Sequence, residues 1–260
     1  LLDLVAVGTV ADLVPLDLNN RTLVAAGLRR LRAGQGCAGL RALIEVSGRE
    51  AARLTTADIG FAIAPRLNAA GRLEDMAIGI ECLLTDDATH ARELAQILHG
   101  INAERRGVQQ QMTDEAEAAL THLALADEGQ APVALCLFDP EWHPGVVGLV
   151  ASKMKEKLHR PVIAFAPAEP GSSTLRGSAR SIPGFHIRDA LAHIDAQHPG
   201  LIMRFGGHAM AAGLTMPLQH LPAFQTAFEQ TAAQWLEADA LDAVLWTDGG
   251  LQADEISRLT

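Results

Sequence analysis

The sequence contains no tyrosine, and aromatic residues of all kinds make up 4% of its 260 residues. Gripping nucleic-acid bases by repeated stacking takes many aromatic side chains, so this chain does not read as a stacking platform. Phe138, Trp142, Phe185 and Phe205 lie beside the motifs below, either as core or as a lone stacking partner. Cysteine is scarce too: Cys37, Cys82 and Cys136 are scattered, odd in number and without zinc-ligand spacing. Reduced thiols in a cytoplasmic protein are the expectation. No apolar run approaches the roughly 20 residues that span a bilayer, and the first residues do not read as a secretory leader. Positive charge is the last deficit, with 21 Lys and Arg against 31 Asp and Glu and a net charge of −10. That balance excludes wholesale coating of nucleic acid.

The deficit is uneven. Residues 151–210 carry eight Lys and Arg against four Asp and Glu, with five of the ten histidines. Screening confines a field to about 10 Å at 0.1 M salt, so a basic segment in an acidic chain still attracts an anion locally. A solvated helix face accounts for the lysines of "KMKEKLHR", but Arg176, Arg180 and Arg204 lie near glycines instead.

The fold class expected is α/β. Leu4 to Val10 is continuously apolar and reads as a short buried strand ending in "GTVADLVPLD". "NNRTLVAAGLRRLRAG" has a helical apolar pattern stopped by Gly34, and more helices follow to about Leu84. From a capping start at Thr85 or Asp86, residues 86–125 read as one long helix or as two broken near Gly107. From Pro132 strands and helices alternate: "PVALCLF", "PVIAFAP", "TLRGSARSI" and "AMAAGLTM" are strands, and the segments between and after them include three helices. "LDAVLWTDGG" reads as an opening strand. Leu1 is not a Met and lies inside a strand-like run, so the chain is expected to be internal to a longer polypeptide.

Four stretches carry candidate chemistry. In "FDPEWHPGVVGLVASKM", His143, Pro144 and Gly145 precede a helix whose N-terminal N–H groups offer a phosphate seat, though ordinary capping fits the same residues. In "LRGSARS", residues two apart share a strand face, so Arg176, Ser178 and Arg180 point the same way. Two guanidiniums flanking a hydroxyl suit a phosphate; a charge-protected edge strand has the same pattern. In "RFGGHAMAAGLTM", Gly206 and Gly207 can turn and expose consecutive N–H groups to an anion, with His208 and Arg204 beside it. In "APRLNAAGRL", read as an Ala/Gly-rich turn, Arg66 and Arg72 line a path for a polyanion or pair with Glu74 and Asp75. Asp12, after a strand end, is a weak candidate for a divalent cation. Together these point to a phosphate-binding α/β domain.

Taken in chain order, "GTVADLVPL", "APRLNAAGRL", "HPGVVGLVASK", "RGSARS" and "RFGGHAMAAGLTM" resemble the RecJ family of single-stranded-DNA-specific 5′→3′ exonucleases, within the DHH phosphoesterase superfamily. The resemblance implies the C-terminal part of a DHH catalytic domain over 1–85, a connecting helix over 86–125, a DHH-associated substrate-binding domain over 130–236 and the beginning of an OB-type domain over 237–260. It implies two Mn²⁺ or Mg²⁺ ions that activate water for phosphodiester hydrolysis, with Asp12 as one ligand. The remaining ligands belong to DxD and DHH motifs that this sequence does not contain, so the chain alone is expected to be inert. Ser178, Arg180, Gly206, Gly207 and His208 would then hold the 5′-terminal phosphate, and Arg66 and Arg72 would line the path of the strand. His143, Gly145, Arg176 and Arg204 are weaker candidates. Single-stranded DNA with a 5′ end is the implied substrate in repair and recombination, with helicases or single-strand-binding proteins as partners. Two alternatives remain: a phosphodiesterase of the superfamily acting on oligonucleotides or cyclic dinucleotides, and a phosphate-binding module without chemistry.

Overall fold

The structure, a computed structural model, describes residues 1–126, 132–245, 247, 249 and 250. It divides into two compact units, one of residues 1–122 and 142–150, the other of residues 123–141 and 151–260.

Among its described residues the first unit forms helices and no strand: α1 (Leu2–Ala11), α2 (Leu18–Arg32), α3 (Ala38–Val46), α4 (Thr56–Asp58), α5 (Ala64–Leu73), α6 (Ala77–Leu84) and most of α7 (Ala88–Ala126). A π-helical turn, Ile59–Ile63, joins α4 to α5. The strand expected over Leu4–Val10 is therefore a helix. Asp3, Ala6 and Val7 are its buried residues, a helical spacing. Burial of Asp3 has a reason: its carboxylate accepts the free N–H of Cys37, the N-cap of α3, at 2.8 Å. α1 lies so close to α2 that a Cβ on Gly27 would overlap the Leu2 carbonyl.

Residues 64–73, expected as a turn, form α5. Pro65 sits in the first turn, where its missing N–H costs nothing, and Ile63, Leu67 and Ala70 enter the core at helical spacing. α2 forms as expected: Asp17 caps its start by accepting from Asn20 N–H at 2.8 Å, and Gly34 follows its end at φ +71°. α7 runs through Gly107 unbroken, capped by Asp87, whose Oδ1 accepts from Thr89 and His90 N–H.

The second unit holds a five-stranded sheet, β1 (Leu135–Phe138), β2 (Val162–Pro167), β3 (Thr174–Arg180), β4 (Arg204–Gly207) and β5 (Ala211–Pro217), in the order β1-β2-β3-β5-β4. β1 and β2 are parallel and linked through α8 (Val147–Leu158); the other pairs are antiparallel. One face packs on α9 (Ile187–Gln197) and α10 (Leu221–Trp235), burying Ile163, Phe165, Leu175, Ala179, Leu214 and Met216 against Leu191, Phe224 and Phe228. The Phe165 and Phe224 rings meet edge to face at 5.7 Å.

β4 corrects the expectation of a glycine turn at Gly206–Gly207. These residues pair with Gly213 and Ala212 of β5, because the ladder offers their backbone groups partners that an isolated turn would leave to water. The strand expected at "LDAVLWTDGG" is not formed over residues 241–245, which pair with no other strand; Trp246, Asp248 and residues 251–260, the rest of the expected OB-type segment, lie outside the described residues.

Candidate functional site

β3 alternates as its sequence implies. Leu175, Gly177 and Ala179 are buried in the core, whereas Arg176, Ser178 and Arg180 share the opposite face. Arg180 is held from three sides: its Nε donates to Ser152 Oγ on α8 at 3.1 Å, and its Nη1 to Ser178 Oγ at 3.1 Å and to the Ala179 carbonyl at 2.8 Å. Because both serine oxygens accept from Arg180, their own hydroxyl protons remain available to an incoming acceptor. Arg176 pairs across β5 with Thr215, which pairs with Arg204; the Arg204 Nε donates to Thr215 Oγ1 at 3.3 Å.

Between these charged positions runs a row with almost no side chains. Register places Ala164, Ser178, Gly213 and Gly206 side by side across four strands, and directly paired residues share a face. Packing does not require the two glycines. A Cβ on Gly206 would meet nothing within 4 Å, and one on Gly213 only the Gly177 carbonyl oxygen at 3.8 Å. Gly177 and Gly207 are different. A Cβ on Gly177 would press on Phe165 Cε1 at 2.5 Å, and Gly207 sits at φ +148° with Ala211 and Ala212 against it. The row therefore keeps backbone accessible where the fold would accept a methyl group.

The hairpin tip beyond β4 is anchored. His208 N–H donates to the Ala211 carbonyl at 2.8 Å, Ser181 N–H to the Met210 carbonyl at 3.0 Å, and Ile187 N–H to the Ala209 carbonyl at 3.0 Å. Since His208 bonds β5, antiparallel alternation turns the Gly207 N–H toward the open edge of the sheet and the Gly206 N–H toward β5. The consecutive donors expected of a Gly-Gly nest thus point in opposite directions. The His208 side chain is exposed and has no hydrogen-bond partner among the described residues.

The other candidates lie in the first unit. The Gly145 N–H donates to His143 Nδ1 at 3.1 Å and the Val146 N–H to the His143 carbonyl, so this turn satisfies itself. A Cβ on Gly145 would overlap the Arg72 carbonyl, which favours close packing over an open anion seat there. Arg66 is only 8% exposed; its Nε and Nη2 contact His99 Nδ1 at 3.2 and 3.1 Å, and its Nη1 donates to the Ala62 carbonyl. That geometry makes His99 Nδ1 an acceptor and puts the imidazole proton on Nε2. Among the described residues neither Arg66 nor Arg72 forms an ion pair with a carboxylate, Glu74 and Asp75 included.

Asp12, expected after a strand, caps the C-terminal end of α1, exposed, with its N–H on the Gly8 carbonyl at 3.0 Å. Among the described residues no group of three or more His, Cys, Asp or Glu side chains is placed to hold a metal ion. Residues of this chain alone therefore do not fit a two-ion centre, and no hydrolytic step is assigned to them.

A model of the DHHA1 domain matches residues 130–234. The single-stranded-DNA-specific exonuclease RecJ of Dickeya dadantii is 51% identical over 257 residues, which is 99% of this chain and 44% of that protein. The RecJ of Escherichia coli is 48% identical over the same share of both. The crystal structure of RecJ from Thermus thermophilus in complex with Mn²⁺ superposes with a TM-score of 0.76 at 38% identity, over 91% of this chain and 33% of that one. Over nearly its whole length the chain is similar to RecJ exonucleases. It spans less than half the length of the curated RecJ proteins it matches.

Two residues of this face escaped the sequence. Gly213 joins the bare row only through strand register, and Ser152 meets Arg180 across 28 residues. The serine could have been suspected from helical spacing on α8, whose inward residues Ala151 and Met154 flank it. For Gly213 the signal was the small-residue run of "AMAAGLTM", which says nothing about which glycine is sterically required.

Proposed function

We propose that this chain is the substrate-holding part of a single-stranded-DNA-specific 5′→3′ exonuclease, and that the polar face of its sheet holds the 5′-terminal phosphate. The bare row of Ser178, Gly213 and Gly206 beside Arg180 carries this reading. An anion can approach the sheet backbone closely there, with a guanidinium and two hydroxyl protons at hand and water displaced from a shallow trough. Charge-assisted bonds of this kind are the stronger class. His208 at the exposed tip and the Gly207 N–H on the open edge would complete the shell, with Arg176 and Arg204 farther along the face.

The hydrolytic centre of such an enzyme takes Mn²⁺ or Mg²⁺, whose chemistry is to activate water and polarise the scissile phosphodiester. Asp12 is the one candidate ligand in this chain, and the rest of the site falls to the DxD and DHH motifs of the family. Arg66 and Arg72 belong to the course of the strand. The parts played by residues 1–85, 86–125, 130–236 and 237–260 are those the family implies: catalytic-domain remainder, connecting helix, substrate-binding domain and start of an OB-type domain. Helicases and single-strand-binding proteins are the partners such an enzyme would meet.

His208→Ala tests the terminal-phosphate reading. Binding of a 5′-phosphorylated single strand should weaken by about tenfold, the worth of one hydrogen bond to a charged group, while a 5′-hydroxyl strand binds as before. Equal weakening of both strands would show His208 to be structural and sink the phosphate role.

A further inference from the structure

We propose that Arg105 and Arg106 of α7, with Arg72 of α5, form a second nucleic-acid contact that takes internal phosphates of the single strand; the assignment rests on the single-strand reading above. The first observation is one of charge. In a chain of net charge −10, Arg66, Arg72, Arg105 and Arg106 have no ion pair with a carboxylate among the described residues. Elsewhere in the same unit arginines do find acids: Arg92 meets Glu45 at 3.5 Å, and Arg49 meets Asp58 at 3.3 Å.

The second observation is geometric. Half-buried Arg105 is fixed by two neutral acceptors on its own helix, donating to Asn102 Oδ1 at 3.0 Å and Gln109 Oε1 at 2.5 Å. Asn102 is itself 3% exposed. Neutral acceptors orient a guanidinium without cancelling its charge, and that suits a cation meant for an external anion. Arg66, largely buried and held by His99 of α7 and the Ala62 carbonyl, adds positive charge beside α7. The groups feel one another. Burial lowers the Arg105 pKa, and the charges of Arg72 and Arg106 lower it further. Burial likewise lowers that of Arg66, with Arg106 and Arg49 adding to it. Clustered cations repel and give the fold nothing in return, so an anion is the missing counterpart. With no tyrosine and few aromatics, contact to backbone phosphates fits better than contact to bases.

The test compares Arg105→Gln/Arg106→Gln with the unaltered chain, binding a 5′-phosphorylated strand of about 12 nucleotides and a 5′-phosphorylated dinucleotide between about 50 and 200 mM salt. Each lost phosphate contact on a single strand removes about 0.7 from the slope of log K against log salt, so a drop of about 1.4 is expected for the long strand. Dinucleotide affinity should not change, and Arg105→Lys/Arg106→Lys should restore the slope. An unchanged slope, or equal losses on both ligands, overturns the assignment. If the double variant fails to fold by circular dichroism, exposed Arg106→Gln alone should lower the slope by about 0.7. An unaltered chain that binds long strands without discriminating 5′-phosphate from 5′-hydroxyl would keep this assignment and remove the terminal-phosphate reading. One that binds no strand at all would remove both.

Discussion

The two units make polar surface in opposite ways. The second unit strips side chains from a sheet: Gly206 and Gly213 leave backbone bare, and few charges, chiefly Arg180, stand at its margin. The first unit does the reverse, crowding guanidiniums on helices whose backbone bonds are spent internally. The difference follows from geometry. A strand turns alternate residues to one face and lines them up with its neighbours, so one missing side chain per strand makes a continuous trough. A helix has no bare backbone along its length and can recognise an anion there only through long side chains. A sheet face therefore suits a phosphate that must be placed accurately, and a helical cluster suits a strand that must pass.

The sharpest way to break that contrast is a pair of identical substitutions on neighbouring strands. Gly177→Ala should destabilise the second unit by about 1–3 kcal/mol, because its methyl group would be forced against Phe165 and Leu214. Gly213→Ala, one strand away, should change stability by less than about 0.5 kcal/mol yet weaken binding of a 5′-phosphorylated strand. Thermal melting and binding, measured on both, separate the roles. If Gly213→Ala binds normally, the bare row is not a ligand surface; if it melts early and Gly177→Ala does not, the two faces of β3 and β5 have been exchanged.

The next effect is smaller and concerns cohesion. Among the described residues, the carboxylates held below their ordinary value, Asp3, Asp58 and Asp87, all lie in the first unit. Burial raises the Asp3 pKa, while the hydrogen bond from Cys37 N–H and further backbone bonds lower it, and the lowering prevails. A depressed folded pKa means stabilisation that is complete above the ordinary value of 3.8 and lost as pH falls through the lower folded value. Amide exchange should therefore show α1 and α3 opening in acid before β2 and β3. Asp3→Asn should cost about 1 kcal/mol at neutral pH and reduce that acid sensitivity. Equal acid response in both units would mean that Asp3 does not hold α3 in place.

What could be read from the sequence depended on whether a local pattern had one physical solution. "TLRGSAR" alternates polar and non-polar residues, the pattern of a half-buried strand, so the shared face of Arg176, Ser178 and Arg180 was legible. "LDLVAVGTVA" is apolar nearly throughout, which fits a buried strand and a helix equally; the decision comes from Cys37, whose N–H needs the Asp3 carboxylate. In "APRLNAAGRL" the Ala/Gly-rich composition suggested a turn, although a Pro in the first turn is compatible with the helix that forms. Gly206 and Gly207 look alike in sequence, yet only Gly207 requires glycine for its backbone. Such differences arise from partners far along the chain, as does the meeting of Arg180 with Ser152. Arg105 and Arg106 were passed over because their helix reads as a connector, and a charge cluster spread over α5 and α7 has no linear signature.

The smallest expected effect bears on that long helix. Gly107 is helical, exposed and has open space where a Cβ would stand. Glycine inside a helix costs roughly 0.5–1 kcal/mol relative to alanine, chiefly because its unfolded chain has more conformations to lose. Gly107→Ala should therefore stabilise the chain by about that amount, seen as a higher melting temperature with unchanged binding. The result also sharpens the contrast between the units. If α7 is a continuous bearer of Arg105 and Arg106, stiffening it one residue beyond them leaves both guanidiniums where they are, and affinity for a long strand holds. If the substitution destabilises, or weakens long-strand binding alone, the helix bends at Gly107 and the arginine cluster depends on that bend.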